Sequence, residues 1–253
     1  MHYTRVVLQT TAEGTSARKA VCPANAFAAE EARIRAAYAR RGNHRTPLAE
    51  PAGQFNRQQR ERILLGLLAA QGFAELKNSR ILEIGCGTGA GLRAFARWGA
   101  RPENLTGVDL LPERIAEARR LCPPQISLSC GSAAHLESAD ASFDLVLQST
   151  VFTSILDLEM KRQVAREMLR VLRPAGLIVW YDFRVNNPWN PDVRGVKRGE
   201  IAQLFPGCQI TLRRLTLAPP LGRLVARLSP WLYRRLSTIK PLSTHYLGMI
   251  RKP

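Results

Sequence analysis

The stretch Ile81 to Leu92, "ILEIGCGTGAGL", constrains the fold of this 253-residue chain more than any other segment. An apolar run with strand character meets Gly85, Gly87 and Gly89 in alternation, and a run of helix formers follows. Glycine accepts positive φ and carries no Cβ, so three of them in alternation let the main chain turn sharply and approach a neighbour closely. A strand, a glycine turn and a helix open the kind of unit that holds a nucleoside in the crevice beyond the carboxyl edge of a parallel sheet. A bland reading, a tight strand-to-helix turn with no ligand, competes with it.

A parallel sheet needs crossover helices, and the remaining pattern supplies them. Short apolar runs at 80–85, 104–110, 126–130, 143–149 and 176–183 read as strands, with helices at 91–99, 112–122 and 158–172 between them. Pro112 suits the first turn of a helix, where a missing N–H costs little, and Arg173, Pro174 and Gly176 stop the helix before them. Two further strands are expected at 209–217 and 244–252, and a short helix at 197–205. The fold class expected from this pattern is α/β, a doubly wound and largely parallel sheet preceded by an N-terminal helical segment. Residues 1–25 are expected to be a loosely ordered N-terminus and 26–75 a helical lid or cover. That cover has helices at 26–41 and 55–73 joined by a Pro- and Gly-bearing loop at 42–54. Residues 76–253 form the main domain and end in a basic segment, 213–253.

The acid at the end of the second strand, Asp109, stands about 20 residues beyond the glycines, where a carboxylate accepts hydrogen bonds from ribose hydroxyls. On this pattern two cofactor classes compete, because Gly85, Gly87 and Ala90 also satisfy the loose dinucleotide fingerprint. Glu83 decides between them. Two residues before the first glycine, its charge opposes a pyrophosphate and favours a ligand bearing an ammonium or sulfonium group, unless it is a purely structural acid.

These residues resemble the class I S-adenosylmethionine-dependent methyltransferases over roughly Arg80 to Asp182. "LEIGCGTG" is similar to that family's first motif, which implies that Glu83, Gly85, Cys86, Gly87 and Gly89 pass the methionine end of S-adenosyl-L-methionine. "GVDLLPERI" resembles the second, with Asp109 on the ribose and Leu110 against adenine. "CGSAAHL" occupies the place of the third, where the family often has an acid; here Ser132 and Ala133 stand instead. The resemblance also implies that Gln148, after the fourth strand, touches the methionine portion, and that the sheet is Rossmann-like, with seven strands and an antiparallel last strand inserted beside the fifth.

Methyl transfer is an in-line displacement, so alignment and exclusion of water carry it, and a general base serves only an acceptor such as a hydroxyl. Asp182, at the end of the fifth strand, is the acid expected as that base; capping of the following turn is the competing role. The resemblance implies a lid over the cofactor with Tyr38, Arg40 and Arg41 in it, a plain solvated helix face being the alternative, and Asn186 to Trp189, "NNPW", reads as a turn with an aromatic pocket wall. His135, His44 and His245 read as surface or packing residues, with His44 or His245 facing the acceptor as the alternative.

The charge balance, 37 Lys and Arg against 20 Asp and Glu for a formal +17, favours anionic partners. No acid follows Glu200, while nine Arg or Lys lie between Arg213 and Lys252. Nucleic acid is a less favoured partner than a small-molecule or lipid-linked acceptor, a saccharide among them, because no stacking pattern of aromatics accompanies the cations. RNA-directed methylation and a non-catalytic, adenosylmethionine-binding scaffold are the alternatives. The segment 221–236 sets Leu221, Leu224, Val225 and Leu228 on one stripe with arginines around it, which suits either its own core or peripheral membrane contact. The five cysteines show no pairing or metal-ligand spacing, and no secretory signal or apolar span is visible, so a cytoplasmic setting with reduced thiols is expected. Oligomeric state has no sequence signal.

Overall fold

Alternation of apolar side chains across each strand builds a sheet that is covered on both faces. The computed structural model describes residues 26–41, 51–237 and 239–253. Two helices come first, α1 (Ala28–Arg41) and α2 (Pro51–Ala70). Alternating strands and helices follow: β1 (Ile81–Ile84), α3 (Ala90–Arg97), β2 (Leu105–Asp109), α4 (Pro112–Leu121), β3 (Ser127–Cys130), β4 (Phe143–Ser149), α5 (Leu158–Val171) and β5 (Leu172–Phe183). The chain closes with α6 (Arg198–Leu204), β6 (Gln209–Leu217), α7 (Pro219–Leu228), α8 (Pro230–Ser237) and β7 (Ser243–Arg251).

The seven strands lie in the order β3-β2-β1-β4-β5-β7-β6. β1 to β5 pair in parallel, while β7 runs antiparallel to both β5 and β6. The expected antiparallel end, with the last strand beside the fifth, is present. Period-2 alternation divides the core as the pleat requires. Val146, Ile178 and Trp180 face α1, α5 and α6, whereas Leu145, Leu147, Leu177 and Val179 face α2 and α3. A third cluster around Ala52, Leu217, Val225, Ala226 and Tyr233 joins α7 and α8 to the start of α2.

One expectation about the N-terminal region is corrected. Residues 51–54 are helical, because Pro51 opens α2 at a position where its fixed φ is compatible with the first turn. The expectations for residues 1–25 and for His44 fall outside the described residues. Helix starts elsewhere follow local chemistry: Gly89 leads into α3 in the left-handed conformation (φ 75°), and Asp157 caps α5 by accepting from the Met160 N–H at 2.7 Å.

Candidate functional site

Strand order reverses between β1 and β4, and a crevice opens there at the carboxyl edge. The glycine loop leaves β1 with Gly85, Gly87 and Gly89 all at positive φ (63°, 54° and 75°). At Gly85 a Cβ would sit 2.5 Å from Val151 Cγ2, so the loop after β4 closes on bare backbone. Thr150, also at positive φ (60°), bends that second loop toward the first.

Two cavities meet at the edge. The smaller, about 120 Å³, is lined by Val108, Asp109, Leu110, Ser132, Ala133 and Tyr38 among others. The larger, about 560 Å³, is lined by Glu83, Cys86, Gln148 and Tyr181 together with Arg57 and Arg60 of α2. Gly85, Arg114 and Ser149 line both, so the two adjoin along one trough-like edge of the sheet.

Asp109 joins the glycine loop to the second strand. Its two oxygens accept from the Gly87 N–H at 2.7 Å and the Leu111 N–H at 2.9 Å, and the side chain still borders the smaller cavity. Ser132 Oγ accepts from the Ala134 N–H at 3.3 Å, a local turn bond. Tyr38 on α1 forms part of the opposite wall, with the Arg114 guanidinium 4.6 Å from its ring centroid. α1 is tied there by Glu30, which accepts from Arg33 and from the Leu156 and Asp157 N–H groups. Burial alone would raise the Glu30 carboxyl, but those hydrogen bonds outweigh it and leave its pKa lowered.

Glu83 has a double position. Its Oε2 accepts from the Leu92 N–H at 3.1 Å, which fixes the first turn of α3, while the side chain borders the larger cavity. Burial pushes its pKa up to about 7 against the pull of the Arg60 charge and the Leu92 bond. Gln148 Oε1 accepts from the Val151 N–H at 3.1 Å, which leaves its buried Nε2 without a hydrogen-bond partner beside the same cavity. A donor left open in that way is a place for a ligand acceptor atom. Cys86 is buried, and burial pushes its thiol well up, so it stays protonated.

Other expected residues are placed elsewhere. Asp182 is fully buried, accepts from the Thr153 hydroxyl, the Thr153 N–H (3.1 Å) and the Phe183 N–H (2.8 Å), and borders neither cavity. Burial raises its pKa to about 7, but the hydrogen bonds are those of a structural acid that anchors the loop after β4. The expected aromatic pocket wall is corrected as well: Trp189 is 84% exposed, and its N–H is held in a turn by Asn187 Oδ1 at 3.1 Å. His245 is buried and stacked on Tyr181, with its pKa lowered to about 3 by burial. Arg40 pairs with Asp192 at 2.9 Å on the surface and stays away from both cavities.

The residues missed from sequence sit mainly on α2. Arg60 lies 4.7 Å from the Tyr181 ring centroid, and Tyr181 hydroxyl and Thr216 Oγ1 share a hydrogen bond of 2.7 Å. Arg57, Arg60, Glu61 and Leu64 are spaced i, i+3, i+4 and i+7, one helix face, and all four line the larger cavity. That spacing was the available signal.

Comparison with known proteins agrees with this geometry. Residues 81–176 match a family described as "Methyltransferase domain". The chain is 35% identical over 133 residues to a phthiotriol/phenolphthiotriol dimycocerosates methyltransferase of Mycobacterium ulcerans, across 51% of this chain and 48% of that protein. It is 32% identical over 106 residues to the 2-methyl-6-phytyl-1,4-hydroquinone methyltransferase of Synechocystis, across 41% and 31%. The chain thus spans half or less of the length of these relatives. Its fold resembles that of an S-adenosylmethionine-dependent methyltransferase from Mesorhizobium loti, with a TM-score of 0.55 at 18% identity over 74% of this chain and 96% of that one.

Proposed function

We propose, for a chain that belongs through residues 81–176 to the class I S-adenosylmethionine-dependent methyltransferases, the transfer of a methyl group to a hydroxyl of a small or lipid-linked acceptor. S-adenosylmethionine, when bound, supplies a methyl carbon activated by the adjacent positive sulfur. The residues of the trough fit that cofactor. Asp109 borders the smaller cavity with lone pairs left for ribose hydroxyls, and Leu110 and Ala133 offer apolar walls for a base. The open Gln148 amide and the Glu83 carboxylate suit the charged methionine end. In the third motif, Ser132 spends its hydroxyl oxygen on a turn, so recognition of the adenine amine there is weaker than an acid would give.

The observation that carries the acceptor reading is the larger cavity. Leu64, Phe95, Trp98, Val179 and Leu247 give it an apolar body, and Arg57, Arg60 and Arg97 give it a cationic side. A molecule with an apolar body and a polar or anionic head satisfies both parts. The relatives' named acceptors, phthiotriol lipids and a phytyl hydroquinone, are of that kind. With Asp182 sealed away, Glu61 and Glu83 are the carboxylates of the cavity wall among the described residues. A hydroxyl acidic enough to need little base assistance, as on an aromatic ring, suits that set better than a plain alcohol. We read residues 26–75 as the cover of the trough, since α1 and α2 each supply part of a wall.

The test has two stages. Calorimetry should detect binding of S-adenosylhomocysteine and none of NADH or NADPH. Labelled methyl donor should then mark amphiphilic phenols in preference to RNA. Binding without transfer to any acceptor class would favour the scaffold role, and labelling of RNA alone would overturn the acceptor assignment.

A further inference from the structure

We propose that the α7–α8 hairpin docks on an anionic lipid surface, with Leu224, Leu228 and Trp231 entering the interfacial layer. The hairpin has two apolar sides with different fates. Val225, Ala226 and Tyr233 are 4%, 5% and 2% exposed and pack on Ala52 and Leu217. Leu224, Leu228 and Trp231 remain 61%, 71% and 65% exposed. The core therefore claims only part of the stripe that the sequence displays. Single exposed apolar residues are ordinary, but three large ones, including a tryptophan, within eight residues of one hairpin form a patch that calls for an occupant.

Charge selects the occupant. From Pro219 to Lys240 the sequence holds Arg223, Arg227, Arg234, Arg235 and Lys240 and no carboxylate. A second copy docked through this segment would bring two cation-rich stretches without carboxylates together, which opposes a symmetric dimer through it. Phosphates of nucleic acid would meet the cations but gain nothing from leucines. A bilayer with anionic headgroups uses both: it attracts the basic residues and takes the apolar ones into the acyl boundary, with tryptophan at its preferred depth. No described helix is long and apolar enough to cross a membrane, so the contact is one of surface docking.

The hairpin is fastened to the helix that lines the acceptor cavity. Tyr233 donates its hydroxyl hydrogen to Asn56 Oδ1, and Gln59 Nε2 donates to Ser237 Oγ at 3.2 Å. The next residues of α2, Arg60 and Leu64, line the larger cavity. Docking would thus hold the cavity near the surface from which an amphiphile leaves; this last step rests on the acceptor reading, whereas docking itself does not.

The test is co-flotation of the purified chain with phosphatidylcholine vesicles, alone or mixed with phosphatidylglycerol. A triple variant, Leu224→Ser, Leu228→Ser and Trp231→Ser, runs alongside, with melting temperature and S-adenosylhomocysteine binding measured on the same samples. The chain should float with the mixed vesicles and weaken as salt rises, and the triple variant should bind on the order of tenfold less tightly. Its melting temperature and cofactor affinity should be unchanged. Equal flotation of the triple variant would show that the arginines act without apolar insertion and would overturn the proposal. So would failure to bind mixed vesicles, or a lipid-free dimer in sedimentation that the triple variant dissolves. Loss of vesicle binding with intact cofactor binding leaves the methyl-transfer reading standing, so the two fail separately.

Discussion

Gly91→Ala is the substitution for which propensity and packing disagree most sharply. Glycine is the poorest helix former after proline, so alanine at the second residue of α3 should by propensity alone stabilise the chain by about 1 kcal/mol. Packing opposes this. An ideal Cβ at Gly91 would lie 2.4 Å and 2.6 Å from the two carboxylate oxygens of Glu83 and 2.7 Å from its Cδ. That carboxylate is itself buried and held to the Leu92 N–H, so it cannot swing aside freely. Either α3 shifts on the sheet, an overpacking cost of about 1–3 kcal/mol, or the Leu92 bond breaks, a cost of similar size. After the propensity gain is subtracted, a net loss of up to about 2 kcal/mol remains when one of the two is incurred. In a Glu83→Ala background the obstructing atoms are gone, and Gly91→Ala should be neutral or stabilising by up to about 1 kcal/mol. The two positions should therefore couple by about 1–3 kcal/mol, within the range seen for residues in contact. Urea denaturation of the four proteins, analysed with a shared m-value, measures this directly. If the stability change on Gly91→Ala is the same with Glu83 present as with alanine in its place, the packing argument fails.

Four more outcomes concern Glu83, Asp109 and the buried Asp182. Glu83 and Asp182 both have folded pKa values raised to about 7 by burial, so the folded chain keeps protons that the unfolded chain has released. Their contribution to stability is full at acid pH below the unfolded values and is lost as pH rises toward 7, which a denaturation series over pH should show as a decline that Asp182→Asn reduces. A cationic ligand favours ionised Glu83, so calorimetry should find adenosylmethionine affinity rising between pH 6 and 8, with the trend flattened in Glu83→Gln. Asp182→Asn should cost about 1–3 kcal/mol in denaturation, because an amide cannot accept from all three donors around it, while cofactor affinity holds; abolished turnover in a folded variant would restore it as a base. Asp109→Ala should abolish detectable S-adenosylhomocysteine binding and also lower stability, since the Gly87 and Leu111 N–H groups lose their acceptor; unaltered affinity would remove Asp109 from the ribose site.

What could be read from sequence was what repeats or sits within one motif. The succession of strands and helices, the left-handed glycines and the placement of Asp109 arise from local pattern, whereas the antiparallel end and the places of Leu110, Ser132 and Gln148 at one edge were legible through the resemblance of whole motifs. What was not legible depends on contacts between distant segments. Asp182 meets Thr153 across 29 positions, and no spacing rule connects them. Arg60 lies over Tyr181 from a helix that precedes the glycine loop, so the cationic side of the larger cavity is invisible until α2 is laid on the sheet. The apolar stripe of 221–236 was legible as a stripe, but its division into buried Val225, Ala226 and Tyr233 and exposed Leu224, Leu228 and Trp231 depends on Ala52 of α2 and Leu217 of β6, which pack on the first set.

The ladder between β6 and β7 pairs Leu217 with Ser243 and runs back to Gln209 with Arg251. Everything from 218 to 242 therefore hangs from a clasp whose two sides are already fastened to each other. That segment packs on the start of α2 through Ala52 and on β6 through Leu217, and no residue of the glycine loop shares its cluster. A change of length or character between 218 and 242 is therefore felt first by α2 and the cavity it walls, and only through them by the grip on the methyl donor.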